Sequence, residues 1–246
     1  IGRQGCEHAA LAKVKGELEN PITTPLLVGS YVDAYFEGTL PQFSASHPEI
    51  YSSRGKTAGE LKSEFKQASV MIDRAEKEPL FMKYMEGYKQ LIMTGEIEGV
   101  PIKCKYDSVD GHRITDLKTV KSIGDNFYIK DYGYRVSFVE NWGYDIQAAV
   151  YREIYRQNTG DLLPFYICAI SKDKTDTVAH PRVAVIEIPE SMMNERLEEF
   201  KRNITRIQDI KTGVAEPIHC GHCDYCADTL PLSRVISVDE LVGDFF

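Results

Sequence analysis

Two aspartates and a lysine, Asp107, Asp116 and Lys118, lie close together in the segment IKCKYDSVDGHRITDLKTV, residues 102–120. The Asp110-Gly111 pair between two runs of alternating residues predicts a two-residue hairpin turn, because both residues adopt positive φ at little cost. Such a turn pairs Val109 with His112, Asp107 with Ile114 and Lys105 with Asp116. Side chains alternate along strands, so Asp107, Asp116 and Lys118 are expected on one face. Cys104, Tyr106, Thr115 and Leu117 are expected on the other. The two aspartates become diagonal neighbours about 7–8 Å apart, near enough for their carboxylates to converge on one cation. The chemistry open to such a set is phosphoryl transfer: hard oxygens hold Mg²⁺, which offsets charge on the phosphate and activates water. A lysine beside them stabilises developing charge or orients the nucleophile. The plainer reading is a solvated hairpin with ordinary surface charges. Loop parity decides between geometries, since a three-residue loop would split the acids between faces unless a bulge restored the register.

A second group is HCGHCDYC, residues 219–226, where Cys220, Cys223 and Cys226 form two CxxC steps sharing the middle residue. This spacing lets successive sulfurs turn back on one metal centre. Three thiolates are one short of a tetrahedral set, and Cys6 is the candidate fourth. For zinc, His219 or His222 could replace Cys6. Reduced free thiols are the third reading, since cytoplasmic chains seldom keep disulfides. Cys104 and Cys168 sit in apolar strand-like company and read as small core residues. His8, His47, His112 and His180 carry no motif.

The elements that must position these groups alternate in character. A helix is expected over 6–18, ended by Asn20-Pro21, and a second opens at Pro25 and carries Asp33. Residues 41–53 read as loop. Helical patterns cover 56–67 and 72–93, the latter interrupted near Pro79. Strands are expected over 95–105, the second hairpin limb, 164–170 and 183–188, with a helix over 144–156 between them. Pro189-Glu190 opens a long amphipathic helix to about residue 210. In the 144–156 helix, Gln147 and Tyr151 share a face, while Ile146, Val150 and Ile154 form a separate apolar stripe suited to the core. The polar pair is therefore expected to point towards a substrate or active site; its plainer reading is a buried pair satisfying local hydrogen bonds. This order predicts an α/β fold, a central mixed sheet flanked by helices.

The 246 residues suit one core, and 43% hydrophobic with 27% charged residues is ordinary globular composition. No run approaches the roughly 20 apolar residues that span a bilayer, and no signal peptide is visible. A cytoplasmic location with no membrane partner is expected. The net charge of −8 argues mildly against extended nonspecific binding of a polyanion. Such binding is compatible with that charge if Lys103, Lys105, Arg113, Lys118, Lys121 and Lys130 line one channel; otherwise they are scattered solvated charges.

Tyr106-Asp107 followed nine residues later by Asp116-Leu117-Lys118 resembles the PD-(D/E)xK nuclease signature, with Tyr106 where that superfamily usually has proline. Gln147 and Tyr151 resemble the QxxxY element of its RecB-like branch. The segment LLVGSYVDAYFEG, 26–38, is similar to the helix that carries an additional metal ligand, aligning Asp33 with a position often held by histidine; Glu37, one turn later, is the alternative. Across about 6–226 the pattern resembles phage-type RecE/exodeoxyribonuclease VIII nuclease domains. The resemblance implies a restriction-endonuclease-like core forming a single nuclease domain over 1–246. It implies Mg²⁺ or Mn²⁺ on Asp33, Asp107, Asp116 and the Leu117 carbonyl, Lys118 orienting water, and Gln147 with Tyr151 contacting the scissile strand. Cys6 with Cys220, Cys223 and Cys226 resembles the arrangement that holds a [4Fe–4S] cluster and staples the chain ends in several RecB-like nucleases; a structural Zn²⁺ is the rival. The implied activity is a metal-dependent exodeoxyribonuclease, a hydrolase of phage-type recombination or repair. Its implied partners are double-stranded DNA with a free end, a recombination annealing protein and further copies of itself. Two other classes stay open: a catalytically silent DNA-binding or assembly module of the same fold, and a nuclease acting on RNA or branched DNA.

Overall fold

The computed structural model describes residues 5–19, 21–129, 133–175, 178–231, 234, 235, 237 and 238. In chain order the elements are α1 (Glu7–Lys15), α2 (Thr24–Phe36), α3 (Leu40–Ser46), α4 (Ser63–Glu76), α5 (Pro79–Tyr84), β1 (Tyr88–Ile97), β2 (Val100–Val109), β3 (Ile114–Val120), β4 (Asn126–Ile129) and β5 (Tyr134–Ser137). There follow α6 (Phe138–Asn141), α7 (Tyr144–Thr159), β6 (Phe165–Ser171), β7 (Lys174–Thr175), β8 (Val178–Ala179), β9 (Val183–Ile188), α8 (Glu190–Thr212) and α9 (Asp224–Thr229). Contacts divide the chain into two units: Ile22–Ile97 with Pro101–Glu199, and Ile1–Pro21 with Glu98–Val100 and Phe200–Phe246.

The larger unit is an α/β fold on a five-stranded mixed sheet in the order β1-β2-β3-β6-β9. β3 and β6 run parallel, while β2–β3 and β6–β9 are antiparallel. A parallel pair needs a crossover connection, and α7 lies in it. β6, with the sequence FYICAIS, is covered almost throughout, as a central strand with both faces packed requires. Against one face Leu27, Val28, Phe65, Met71, Ile72 and Phe81 of α2, α4 and α5 form a core with Leu117, Cys168 and Ile170 of the sheet. On β1 the last turn of α7 comes so close to Gly95 that a Cβ there would lie 2.4 Å from Gln157 Oε1.

Several local expectations are corrected. Residues 41–53 are not all loop: Pro41 starts α3 in its first turn, where a missing N–H costs nothing. The helix expected at 56–67 begins only at Ser63; the preceding stretch holds a 3₁₀ turn and a bridge between Tyr51 and Leu61. The helical pattern over 72–93 ends at Glu76, and after α5 the chain becomes β1 from Tyr88. Gly87 enforces that change: its φ is 122°, and a Cβ would stand 2.5 Å from the Val109 carbonyl oxygen. Pairing with β2 then prevails over a helical period. The strand expected over 95–105 is two strands, reversed by Glu98 and Gly99 at φ 50° and 75°, the signature of a type I′ turn. The β4–β5 and β7–β8 hairpins were not foreseen. Lys130 lies outside the described residues, and among those described no helix is long and apolar enough to cross a membrane.

The β2–β3 loop is also longer than expected. Ser108 pairs with Thr115 and Val109 with Ile114, leaving a four-residue loop, Asp110 to Arg113. The Asp110 carboxylate caps it, accepting the His112 and Arg113 N–H groups at 2.9 and 3.0 Å and pairing with the Arg113 guanidinium at 2.6 Å. This Asx-type capping satisfies donors that a two-residue turn would not expose. The register therefore moves by two residues from the expected one and its parity is unchanged.

In the smaller unit, Cys6 caps the start of α1. Glu7 receives both Arg206 nitrogens at 2.7–2.8 Å and the Ile218 N–H at 2.7 Å. That charge-assisted fork ties the N-terminal helix to the end of α8 and to the segment before the cysteine motif.

Candidate active site

Asp116, on the sheet's parallel strand pair, is only 4% exposed. Its Oδ2 meets Lys118 Nζ at 2.6 Å and its Oδ1 accepts Gln147 Nε2 at 2.7 Å. Burial pushes its carboxyl up, to about 6, with Asp107 adding and Lys118 and Gln147 opposing. Burial alone would lower the Lys118 ammonium, but the Asp116 carboxylate raises it overall. The ammonium also lies over the Tyr144 ring, 4.9 Å from its centroid, a favourable placement for a cation with little water around it. The first turn of α7 thus contributes both Tyr144 and Gln147 to one carboxylate–ammonium pair.

Asp107 is placed differently from the expectation that it would share a face with Asp116 and Lys118. Tyr106 packs on Tyr151 and donates its hydroxyl to the Tyr151 carbonyl at 2.9 Å, so it faces α7. Ser108, two residues on, donates to the Met85 and Glu86 carbonyls at the end of α5. Residues two apart in a regular strand meet the same neighbours; here the pleat is interrupted at Asp107, as a bulge interrupts it. The Asp107 carboxylate takes the place of a strand carbonyl and accepts the Leu117 N–H at 2.9 Å. The expected grouping of Tyr106 with Leu117 fails for the same reason: Leu117 belongs to the core under α2, α4 and α5.

Asp107 lines a cavity of about 10 Å³ with Asp33, Glu37, Gln90, Phe36, Met85 and Leu117, enough for roughly one ion or water. Asp33 projects from α2. Burial raises its carboxyl to about 7, with Asp107 and Asp116 adding and Lys118 opposing. Glu37, the alternative acid, borders the same cavity and stands 3.9 Å from Lys105 Nζ. The charges of Asp107 and Asp116 both bear on Asp33, but these carboxylates are more loosely set than the cysteine sulfurs described below, which alone among the described residues form a ligand set within 4.8 Å.

Sequence reading missed Gln90. It adopts φ 55°, a region costly for a side chain longer than Asn or Asp, and both amide atoms are buried without a partner. The pattern hid it because 72–93 reads as helix. An unpaired amide bordered by three acids is the kind of orphan that a hard cation with its water shell would satisfy, Oε1 towards the ion and Nε2 towards a carboxylate. By donor chemistry the residues fit Mg²⁺ or Mn²⁺. Lys89, also missed, donates to the Met85 carbonyl; burial lowers its ammonium and Asp107 opposes that.

The remaining expected residues divide. Gln147 reaches Asp116, whereas the Tyr151 ring packs on Tyr106 and Phe165, so the polar pair lies towards the sheet rather than away from the core. Val150 and Ile154 are buried with Ala148 and Ala149; Ile146 is half-buried. Of the basic residues, Lys103 is exposed and Arg113 stacks on Tyr84 at 4.5 Å. Among the described residues of that set, Lys118 pairs with Asp116 and Lys105 reaches Glu37, with Lys121 on an adjoining cleft.

In the smaller unit Cys6, Cys220, Cys223 and Cys226 have all four sulfurs within 4.8 Å of one another. The Cys6–Cys226 and Cys220–Cys226 separations are 3.3 and 3.9 Å, and all four are free thiols. His219 Nδ1 lies 3.7 Å from Cys226 Sγ, while His222 donates Nδ1–H to the Cys220 carbonyl at 2.8 Å. Four soft donors converging without a disulfide fit a thiolate-bound metal.

Two measurements follow from the carboxyl and amide environments. Asp33 ionises near 3.8 unfolded and about 7 folded, so the unfolded chain releases its proton first. Metal-free stability should therefore fall as pH rises from about 4 to about 7, and Asp33→Asn should flatten that fall in thermal melts with EDTA; an unchanged slope contradicts the buried neutral carboxyl. Gln90→Leu removes two unpaired polar ends and should stabilise the metal-free protein by about 1–2 kcal/mol, a few degrees in melting temperature. A lower melting temperature would show the amide to be satisfied.

Comparison with known proteins bears on this geometry. Residues 3–229 match the family described as a PDDEXK-like domain of unknown function (DUF3799). The chain is also similar to a crystal structure of a "Putative exonuclease" from Eubacterium rectale. The two are 44% identical with a TM-score of 0.87, over 99% of this chain and 88% of that one. No curated protein matches. With the match spanning nearly the whole sequence and the Asp107, Asp116 and Lys118 motif set into a mixed sheet flanked by helices, the chain belongs to the PDDEXK-like family.

Proposed function

We propose that this protein is a metal-dependent deoxyribonuclease, an exonuclease that hydrolyses phosphodiester bonds of double-stranded DNA from a free end. The observation that carries the reading is the buried Asp116–Lys118 pair, braced by Gln147, with the Asp107 charge acting on Asp116 and the charges of both acting on Asp33. A surface hairpin would leave these charges solvated; here their burial raises two carboxyls, an arrangement typical of reacting groups. The exonuclease class follows the name of the similar Eubacterium rectale protein, and the DNA substrate follows the PD-(D/E)xK resemblance.

Asp33, Asp107, Asp116 and the Leu117 carbonyl would hold Mg²⁺ or Mn²⁺, which when bound supplies Lewis-acid stabilisation of charge on the phosphate and acidifies water. Gln147 holds Oδ1 of Asp116, so Oδ2 stays turned to Lys118. The Lys118 ammonium, kept charged by Asp116, offers its remaining N–H donors to the attacking water or to a phosphate oxygen. Tyr144 shields that ammonium from bulk water. Tyr151 acts through packing, keeping β2 against α7 so that Asp107 is presented at the break in the strand.

Asp116→Asn and Lys118→Met should each lower Mg²⁺-dependent degradation of linear duplex DNA by about 10²–10³-fold or more, with cooperative melting retained. Wild-type rates in either variant sink the assignment, and binding of DNA by a wild-type protein that never cleaves it would favour the silent-module reading.

For the cysteine group the proposal is a [4Fe–4S] cluster bound by Cys6, Cys220, Cys223 and Cys226, joining the two chain ends. Anaerobically purified protein should show a broad visible absorbance and bound iron, both lost in Cys223→Ser. Colourless protein containing zinc would replace the cluster with a structural Zn²⁺ site.

A further inference from the structure

Next to the acid group the larger unit has a cleft of about 730 Å³, and Asp33 lines both this cleft and the small acid cavity. Its walls carry Trp142, Phe127, Tyr144, Lys121 and Lys172. Tyr144 is also the ring beneath the Lys118 ammonium, so the cleft shares one residue with the surroundings of the proposed catalytic lysine and another, Asp33, with the acid cavity. Trp142 ends α6 and is 62% exposed. Phe127 meets it edge-on, with ring centroids 6.0 Å apart and planes at 73°, which fixes the indole while leaving a face open. With Phe127 and the exposed Leu26 on the same cleft, Trp142 is part of a group of apolar side chains rather than a lone one, and grouped exposed apolar surface marks interaction sites.

We infer that this cleft receives one or two nucleotides of unpaired DNA strand, with a base stacked on Trp142 and the backbone held by Lys121 and Lys172. The inference rests on the nuclease reading and names the form in which the substrate reaches that site. Size favours a single strand: about 730 Å³ encloses a drug-sized ligand, whereas a duplex cannot enter without separating. Charge and aromatic content agree, because sequence-tolerant single-strand sites combine cations that track phosphates with rings on which bases stack. Lys172 is positioned for this, its Nζ anchored on the Pro25 carbonyl at 3.0 Å, and Lys121 is exposed. Asp125 also lines the cleft, so the backbone is expected to pass on the lysine side.

Trp142 is the single tryptophan, so its fluorescence reads the cleft directly. A short phosphorothioate oligothymidylate, resistant to cleavage, is titrated into the intact protein with Mn²⁺. It should quench the emission, while a base-free phosphodiester chain of equal length should quench little. Trp142→Ala should bind the labelled oligonucleotide about tenfold or more weakly. It should raise KM for duplexes with a single-stranded overhang while leaving calorimetric Mn²⁺ binding unchanged. No quenching, equal quenching by the base-free chain, or unaltered affinity in Trp142→Ala overturns the inference. If wild-type protein neither binds Mn²⁺ nor cleaves DNA, the nuclease reading fails instead, and the quenching comparison still decides whether the cleft stacks a base.

Discussion

Keeping a carboxylate ionised inside the sheet is the constraint on which the rest of the larger unit depends. Removing a carboxylate from water costs several kcal/mol even after relaxation, and Asp116 is almost fully enclosed. Only a compensating cation and a hydrogen-bond donor on its remaining oxygen make that enclosure tolerable. Lys118 is two residues along the same strand, so β3 alone supplies the cation. The donor must come from outside the sheet. It comes from α7, which the parallel β3–β6 pairing requires as a crossover. Topology and electrostatics thus demand the same helix in the same place.

The two sides of the sheet do different work. The side beneath α2, α4 and α5 is a conventional apolar core into which Leu117, Cys168 and Ile170 are packed. On the other side tyrosines 106, 151 and 155 form an aromatic layer between β2 and α7. Asp107 sits where β2 changes its neighbours from one side to the other. That position lets one carboxylate satisfy a Leu117 amide in the sheet and still line the cavity shared with Asp33. A regular strand could present Asp107 to one side only.

Residue types and spacing were more legible in the sequence than residue facing. The α/β order, the helix bearing Gln147 and the strands at 164–170 and 183–188 follow from periodicity and punctuation that survive folding. The convergence of Cys6 with the three later cysteines follows from ligand counting rather than from any local pattern. What failed did so for tertiary reasons. Residues 88–93 looked helical because Leu91, Ile92 and Met93 fit either period, and pairing with β2, which the close approach of Gly87 to the Val109 carbonyl permits, decides for a strand. The side on which Asp107 lies could not be read by counting alternation, because a broken pleat leaves no mark in composition. Gln90 was invisible for both reasons together: it sits in the misread segment, and its unpaired amide appears only once the cavity around it exists.

Tyr106 occupies the place where the PD-(D/E)xK signature usually has proline, and the structure shows what that exchange entails. Its ring is wholly buried and its hydroxyl reaches a carbonyl in the middle of α7. Proline stiffens a strand from within, through its own ring, whereas this tyrosine restrains the strand from outside, by tethering it to a helix. Two unrelated devices therefore deliver the same neighbouring aspartate, and a search pattern written around the proline would pass over chains built on the tether.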